Sequence, residues 1–361
     1  MKTAYILPNI IGTGGIAKVI FAKIDYLIEN FNYDITIITY MNIEKKSAYT
    51  INKNVKFIHL NLDSNKNLKS VLSNVLKENK FDIVISSLSN NEFYFINSIK
   101  DGSKKIAEFH TCFDYIKGFT NRRENFLKYI KEKISFYKFI LAAKKFNAFV
   151  VLNNIDKVSF SKYLKNIEVI SNPIIHSSEI AKCDFRSKKI IAAGRLEGVK
   201  GFEYLVEAWG KINSKFPDWS VSIYGEGPLE SELKSQIKNN NIKNISIYPF
   251  DKNIDKHYKE SSILVLTSMF EGQGMVLLEA MHYGLSLVSF KIKSGPLELV
   301  KDNKNGFLVK KKSTSELAEK IETLITDENL REKFHYNSIE FSKEYSIEKI
   351  MKKWNHLFKN L

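Results

Sequence analysis

T-S-M-F-E-G-Q-G-M-V-L-L-E, residues 267–279, follows the short apolar run Ile263 to Leu266 and leads into apolar residues at helical spacing from Met275 to Tyr283. The pattern is a buried strand, a turn carrying Gly272 and Gly274, and then a helix. At the carboxyl end of a parallel strand, the unpaired N–H groups of the next helix's first turn, here those of Met275 and Val276, point at whatever fills the crevice. Such a place suits an anionic or hydroxyl-rich ligand, and the two glycines would let the backbone approach it closely. Glu271 falls in the loop and Glu279 one to two turns into the helix, where a carboxylate is a good acceptor for a vicinal diol. Two unrelated acids, one in a loop and one solvated on a helix, are the plain alternative. The glycines and the strand-to-helix setting weigh against it.

Outward from this stretch the same rhythm repeats. Short apolar strands are expected at residues 189–193, 220–224, 245–248, 263–266 and 286–290, with helical patterns between them. An earlier series falls at 3–7, 35–39, 55–59, 83–86, 105–109 and 148–152. Strands alternating with helices indicate parallel α/β sheets. Between the two series, a strand at 167–170 is broken by Ser171-Asn172-Pro173-Ile174, because proline removes a donor and restricts the residue before it. The expectation is an α/β chain of two Rossmann-like domains, 1–172 and 173–343, with a cleft between them as the default ligand site.

The composition agrees with two packed cores: 361 residues, 44% hydrophobic and 12% aromatic. No apolar run approaches the roughly 20 residues that span a bilayer. Residues 1–7 superficially suggest a signal peptide, but Pro8, Gly12, Gly14 and Gly15 interrupt the run, which favours a first strand and its loop. Cys112 and Cys183 lie far apart without metal-ligand spacing, which fits a reducing cytoplasm. A formal charge of +15 calls for nucleic acid, an anionic membrane face or phosphorylated substrates as partner. Aromatic-basic sheet motifs and recognition-helix patterns are lacking, so nucleic acid is disfavoured.

One segment bears on the membrane. Residues 122–146 predict a long helix with an apolar stripe at Phe126, Ile130, Ile134, Tyr137 and Leu141, flanked by Lys128, Lys131, Lys133, Lys138, Lys144 and Lys145. A basic amphipathic helix suits an anionic interface; a core-facing stripe with a solvated back is the alternative. Both hold if the stripe docks on the sheet and the lysines face lipid, which predicts salt-sensitive binding at the inner face of the cell membrane.

Further candidates stand at strand ends. G-T-G-G-I-A, residues 12–17, matches a dinucleotide fingerprint, but Thr39-Tyr40-Met41 supplies no acid for a ribose. Glu108-Phe109-His110-Thr111 puts His110 at the carboxyl edge of the fifth strand, although a lone histidine is more often a core residue. Gly194-Arg195-Leu196, followed by Lys200-Gly201, places two cations after the first strand of the second series, an Arg fork and a mobile Lys charge. Tyr224-Gly225-Glu226-Gly227-Pro228 is a glycine turn opening a helix. Pro249-Phe250-Asp251 follows the next strand, with a buried core position as the ordinary explanation for Phe250. No D-x-D pair occurs anywhere.

The Glu271 to Glu279 spacing, with seven residues between, resembles the signature of retaining glycosyltransferases of family 4, two-domain enzymes of the GT-B fold. The Gly194-Arg195-Leu196 and Lys200-Gly201 element, the glycine turn at 225–227 and the Asn172-Pro173 pair are similar to that family too. The resemblance is strong over residues 189–309 and patchy before them. It implies a last helix, 344–361, crossing back to the first domain. It places Glu271 beside the donor sugar and Glu279 on the ribose hydroxyls. Gly14 and Gly15 would lie under the donor diphosphate, with His110 hydrogen-bonding the donor sugar. Arg195 and Lys200 would offset the charge of the leaving diphosphate, and Phe250 would contact the base, largely through its backbone. The reaction implied moves a hexose or N-acetylhexosamine from a nucleotide sugar, UDP-linked, to a saccharide or lipid-linked acceptor, without a metal or other cofactor. Thr267 stands where the family usually has proline, and Gln273 where an apolar or aromatic residue is frequent, which leaves the sugar open. A sugar-nucleotide 2-epimerase shares the fold but would need additional acids and histidines at the reaction centre.

Overall fold

The computed structural model describes residues 1–9, 15–41, 51–60, 62, 67–87, 90–118, 125–175 and 183–361. The chain divides into two compact units, Met1–Ile175 with Ser346–Leu361, and His176–Tyr345.

In the first unit, β1 (Lys2–Leu7), α1 (Gly15–Phe31), β2 (Asp34–Thr39), β3 (Lys56–His59), α2 (Leu68–Asn79) and β4 (Ile83–Ser87) come first. They are followed by β5 (Lys104–Glu108), α3 (Phe113–Lys117), α4 (Phe126–Ala143), β6 (Ala148–Val151), α5 (Asn154–Phe160) and β7 (Ile167–Val169). The strands form one parallel seven-stranded sheet in the order β3-β2-β1-β4-β5-β6-β7. Both faces of the central strands are covered, which is why β1, β4 and β6 are buried along nearly their whole length without alternation. Ala4 and Ile6 of β1 point into one core with Leu68, Leu72 and Phe139, whereas Tyr5 and Leu7 point into the other with Ile24 and Trp354.

The second unit runs β8 (Lys189–Ala193), α6 (Phe202–Ile212), β9 (Ser220–Tyr224), α7 (Glu230–Asn239), β10 (Ile245–Tyr248), α8 (Asp255–Lys259) and β11 (Ile263–Leu266). Then come α9 (Met275–Tyr283), β12 (Ser286–Phe290), α10 (Pro296–Leu299), β13 (Gly306–Val309), α11 (Thr314–Thr326) and α12 (Glu328–Ser342). Its six strands are parallel in the order β10-β9-β8-β11-β12-β13. One core gathers α6, α11 and the sheet around Trp209, Val265 and Phe290. After a 3-10 turn at Lys343–Tyr345, α13 (Ile347–Lys359) joins the first unit, burying Ile350, Met351, Trp354, Leu357 and Phe358 beside α1. Its cap, Ser346, accepts from the Lys349 N–H.

Strand order reverses between β8 and β11, which are hydrogen-bonded neighbours although three strands apart in sequence. In open parallel sheets, ligands bind outside the carboxyl ends of the strands at such a point. The loop of residues 267–274 leaves one of these two strands.

In the helix at 122–146 the expected stripe does not dock on the sheet. Within the described residues this helix is α4, capped by Asn125, whose side chain accepts from the Lys128 N–H. Its docked face is Phe136, Phe139, Ile140, Ala142 and Ala143, whereas the stripe of Phe126, Ile130, Ile134, Tyr137 and Leu141 is exposed. The helix carries two apolar faces, and the phenylalanine cluster of the first core claims the other one: Phe139 stacks on Phe93 at 4.9 Å.

Candidate functional site

The loops after β8 and β11 are laced together before any side chain of the site is placed. The Met269 N–H donates to the Val199 carbonyl at 2.7 Å, and the Thr267 hydroxyl to the Lys200 carbonyl at 3.1 Å. Gly201 makes this possible: its φ is +64°, and a Cβ there would sit 2.4 Å from the Thr267 carbonyl oxygen. Only glycine takes that conformation beside that backbone at no cost.

This lacing brings Lys200 to Glu271. Lys200 Nζ lies 2.6 Å from Glu271 Oε1, and the Ser268 hydroxyl donates to the same oxygen at 2.7 Å. The two charged side chains retain 22% and 12% exposure, so the pair is sheltered but reachable. With both bonds on Oε1, Oε2 is the oxygen positioned to accept from a ligand.

Next along the loop, Gly274, at φ +85°, starts α9 without a side-chain cap, so the first-turn N–H groups of Met275 and Val276 have no side-chain acceptor there. That end carries the positive pole of the helix. A second loop braces the turn: the Ser294 hydroxyl and Gly295 N–H donate to the Gly272 carbonyl at 2.9 and 3.2 Å. Glu279 is not a solvated helical acid. It is 8% exposed, and the hydroxyl of the fully buried Tyr258 donates to its Oε2 at 3.0 Å.

Arg195 is not gathered into this group. Its side chain is 71% exposed and pairs with Glu197 at 2.9 Å. Phe250 is no core residue either, being 46% exposed. It borders a groove of about 510 Å³ lined also by Tyr224, Tyr248, Asp251 and His257. There the Tyr224 hydroxyl meets His257 Nδ1 at 3.0 Å, and His257 Nε2 meets Asp251 at 3.0 Å. The Asn253 N–H, then Lys256 and His257, hold the Asp251 carboxyl down at about 2.

In the first unit, Gly15 is the first residue of α1, and Gly14 lies outside the described residues. His110 leaves the end of β5 with its side chain 2% exposed and Nε2 3.4 Å from Glu108 Oε1. Its Nδ1 has no hydrogen-bond partner among the described residues. Glu108 is wholly buried and takes a hydrogen bond from Lys23 of α1, whose Nζ sits 3.9 Å from the Trp354 ring centroid. Burial alone would raise the Glu108 carboxyl, but the charges and hydrogen bonds of Lys23 and His110 outweigh it and bring it to about 2. Burial likewise draws the Lys23 ammonium down, and Glu108 opposes that.

Lys23, Glu108, Tyr258, Ser268 and Ser294 were not among the expected site residues. For the first two a signal existed. Glu108 shares a strand face with His110 by the two-residue period, and Lys23 interrupts an otherwise apolar helical run. Tyr258 comes from a separate element, and no spacing connects it to Glu279.

Comparison with known proteins bears on the fold and on the class of the relatives. Residues 178–341 match the family model of glycosyl transferases group 1. An uncharacterised glycosyltransferase of Haemophilus influenzae is 32% identical over 219 residues, 59% of this chain, which spans 62% of that protein's length. The amylovoran biosynthesis glycosyltransferase AmsD of Erwinia amylovora is 27% identical over 332 residues, covering 80% of this chain and 93% of AmsD. A Staphylococcus aureus TarM variant, crystallised with fondaparinux, α-GlcNAc-glycerol and UDP, superposes with a TM-score of 0.77 over 99% of both chains at 18% identity. The chain thus has the two-domain fold of the GT-B glycosyltransferases, and the group 1 match falls on the unit that holds the Lys200–Glu271 pair.

Proposed function

We propose that the protein is a retaining glycosyltransferase of family 4 that moves a hexose or N-acetylhexosamine from a UDP-sugar to a saccharide or lipid-linked acceptor, in the assembly of a bacterial surface polysaccharide. The observation that carries the reading is the Lys200–Glu271 pair at the strand-order reversal, next to the uncapped start of α9. A diphosphate leaving group gathers negative charge as its bond to the sugar breaks, and fixed donors aimed at that charge lower the barrier. Lys200 and the N–H groups of Met275 and Val276 are such donors, and they remove the need for a metal. Arg195, on a long exposed side chain, is within the same loop and adds a second cation once it leaves Glu197. Glu271 Oε2 accepts from sugar hydroxyls, while Ser268 keeps the carboxylate aimed after Lys200 turns to phosphate. Glu279, fixed by Tyr258, accepts the ribose hydroxyls. His110, at the end of β5 with its Nδ1 unpaired among the described residues, is assigned to the sugar, and Phe250 and its groove to the base. The backbone N–H groups after Gly14 and Gly15 are assigned to phosphate.

In this reading the diphosphate departs on the same face from which the acceptor hydroxyl attacks, so an α-linked donor gives an α-linked product. Relatives support the class: AmsD by its part in amylovoran biosynthesis, and TarM by its crystals with UDP and an α-GlcNAc glycoside.

The test is a panel of UDP- and other nucleotide-linked hexoses and N-acetylhexosamines, read by thermal shift and by slow release of the nucleotide. One UDP-sugar is expected to bind, and Glu271→Gln to bind it still while releasing UDP at least about 10²-fold more slowly. Failure of every donor to bind, or ordinary turnover by Glu271→Gln, overturns the proposal; conversion of the donor to an epimer without acceptor identifies an epimerase instead.

A further inference from the structure

Helix α4 exposes an apolar stripe along one side. Phe126, Ile130, Ile134, Tyr137 and Leu141 recur every three or four residues down one side, with Leu127 beside them, and their exposure runs from 37% to 72%. The opposite side, Phe136, Phe139 and Ile140, is already buried in the sheet's core, and the stripe lies outside that core and stays exposed. At 18 residues the helix is about 27 Å long, and a contiguous apolar face of that length on a soluble surface marks a contact with something else.

Charge decides what covers it. On a helical projection, Lys131 and Lys138 border one edge of the stripe and Lys133 the other, with Lys128 near the start and Lys144 and Lys145 just past the end. The only acid on the helix, Glu132, is half-buried and lies towards the docked side. From α3, which packs against α4, come the exposed Tyr115 and Lys117 and the half-buried Asp114. A second copy docking through this face would press lysine rim against lysine rim, in a chain that already carries +15. An anionic bilayer matches both features: the stripe enters the boundary between headgroups and acyl chains, and the lysines reach lipid phosphates while their stems lie along the apolar surface.

We propose that α4 is a membrane-docking helix that inserts the stripe Phe126, Leu127, Ile130, Ile134, Tyr137 and Leu141 into an anionic lipid surface. The proposal is independent of the catalytic reading, because α4 contains none of the residues assigned to the sugar nucleotide. Of the readings the sequence left open, it keeps the helix at an anionic interface and drops the stripe docked on the sheet, since the stripe is exposed. Insertion of apolar side chains adds a component of binding that salt does not screen.

The experiment is flotation of the full chain with vesicles of phosphatidylglycerol and phosphatidylcholine in equal parts, against phosphatidylcholine alone, at low and high salt. The wild-type chain floats with the anionic vesicles and keeps part of that binding at high salt. A Leu127→Ser, Ile134→Ser, Leu141→Ser variant loses at least about tenfold in partitioning at both salts, whereas Lys131→Gln with Lys138→Gln loses binding mainly at low salt. All five sites are exposed, so thermal unfolding and nucleotide binding should stay as in the wild type. Leu127→Cys carrying a nitroxide gives a second reading, its accessibility to oxygen rising on the vesicles. No flotation at low salt, unchanged flotation of the serine variant, or an unchanged nitroxide overturns the proposal. A wild-type dimer that the serine variant converts to monomer, with flotation unaltered, assigns the face to a second copy instead.

Discussion

Two hydrogen bonds converge on one oxygen of Glu271, and they do different work. Ser268 is a neutral donor from the same loop and fixes direction, whereas Lys200 is a charge that a phosphate would compete for. Lys200→Met should therefore lower kcat by about 10² and weaken UDP binding, while Ser268→Ala should lower kcat less and leave UDP affinity unchanged. Steady-state kinetics with UDP as product inhibitor separates the two. Glu279→Ala should instead raise the donor KM with kcat largely kept, since a ribose contact is made equally in ground and transition states. Glu108 belongs to stability as well as to the site. Its carboxyl falls from an unfolded value near 4.5 to about 2 in the fold, so it stabilises above the higher value and that stabilisation is lost as pH falls through the lower. Glu108→Gln should thus flatten the acid limb of stability between about pH 4.5 and 2 relative to wild type, as seen in urea melts across that window.

At the scale of elements, the central strands were legible because both of their faces are buried and the code for that is crude: a few Val, Ile and Leu between breakers. Residues 263–266 and 286–290 coincide with β11 and β12 for this reason. The turn at 267–274 was legible as a ligand loop because its glycines and the following helix lie next to one another in sequence. What joins Lys200 to Glu271 was half visible: both were candidates, but their contact depends on β8 and β11 being neighbours, a fact of sheet order that local sequence does not carry. Helix α4 shows the opposite limit. Its residues contain two apolar stripes, and periodicity alone gives no reason to prefer Phe136, Phe139 and Ile140 over the stripe that begins at Phe126; the aromatic partners Phe93, Phe109 and Phe149 make the choice. The lacing of the two loops is itself testable. Gly201→Ala would place a Cβ against the Thr267 carbonyl in a left-handed conformation, costing about 1 kcal/mol for the backbone and more for the clash. Thermal unfolding should fall, and donor affinity should fall with it, because Lys200 is the next residue. Thr267→Val, which removes only the hydroxyl bond to Lys200, should weaken donor binding less.

The whole chain holds two sets of cores that share no residue, one in His176–Tyr345 and two flanking the sheet of the other unit. The end of the chain completes one of the latter: Trp354 of α13 is 1% exposed among Tyr5, Ile24 and Val150, and its ring lies 3.9 Å from the Lys23 ammonium. Truncating it removes apolar burial, worth about 3–5 kcal/mol for a buried tryptophan, and also the ring beside a buried cation. All of that loss falls on the first unit. The chain has three tryptophans, and the other two, Trp209 and Trp219, are buried in the core of the second unit. In Trp354→Ala the remaining indole fluorescence reports that second unit alone, while far-ultraviolet circular dichroism reports both. On heating, the dichroism of this variant should show an early step that the fluorescence does not follow, and then a later step common to both signals. Trp354→Phe, which keeps an aromatic face for Lys23, should shift the early step less. Coincident single transitions in the alanine variant would mean that the two units melt as one, and that the last helix stabilises the molecule as a whole.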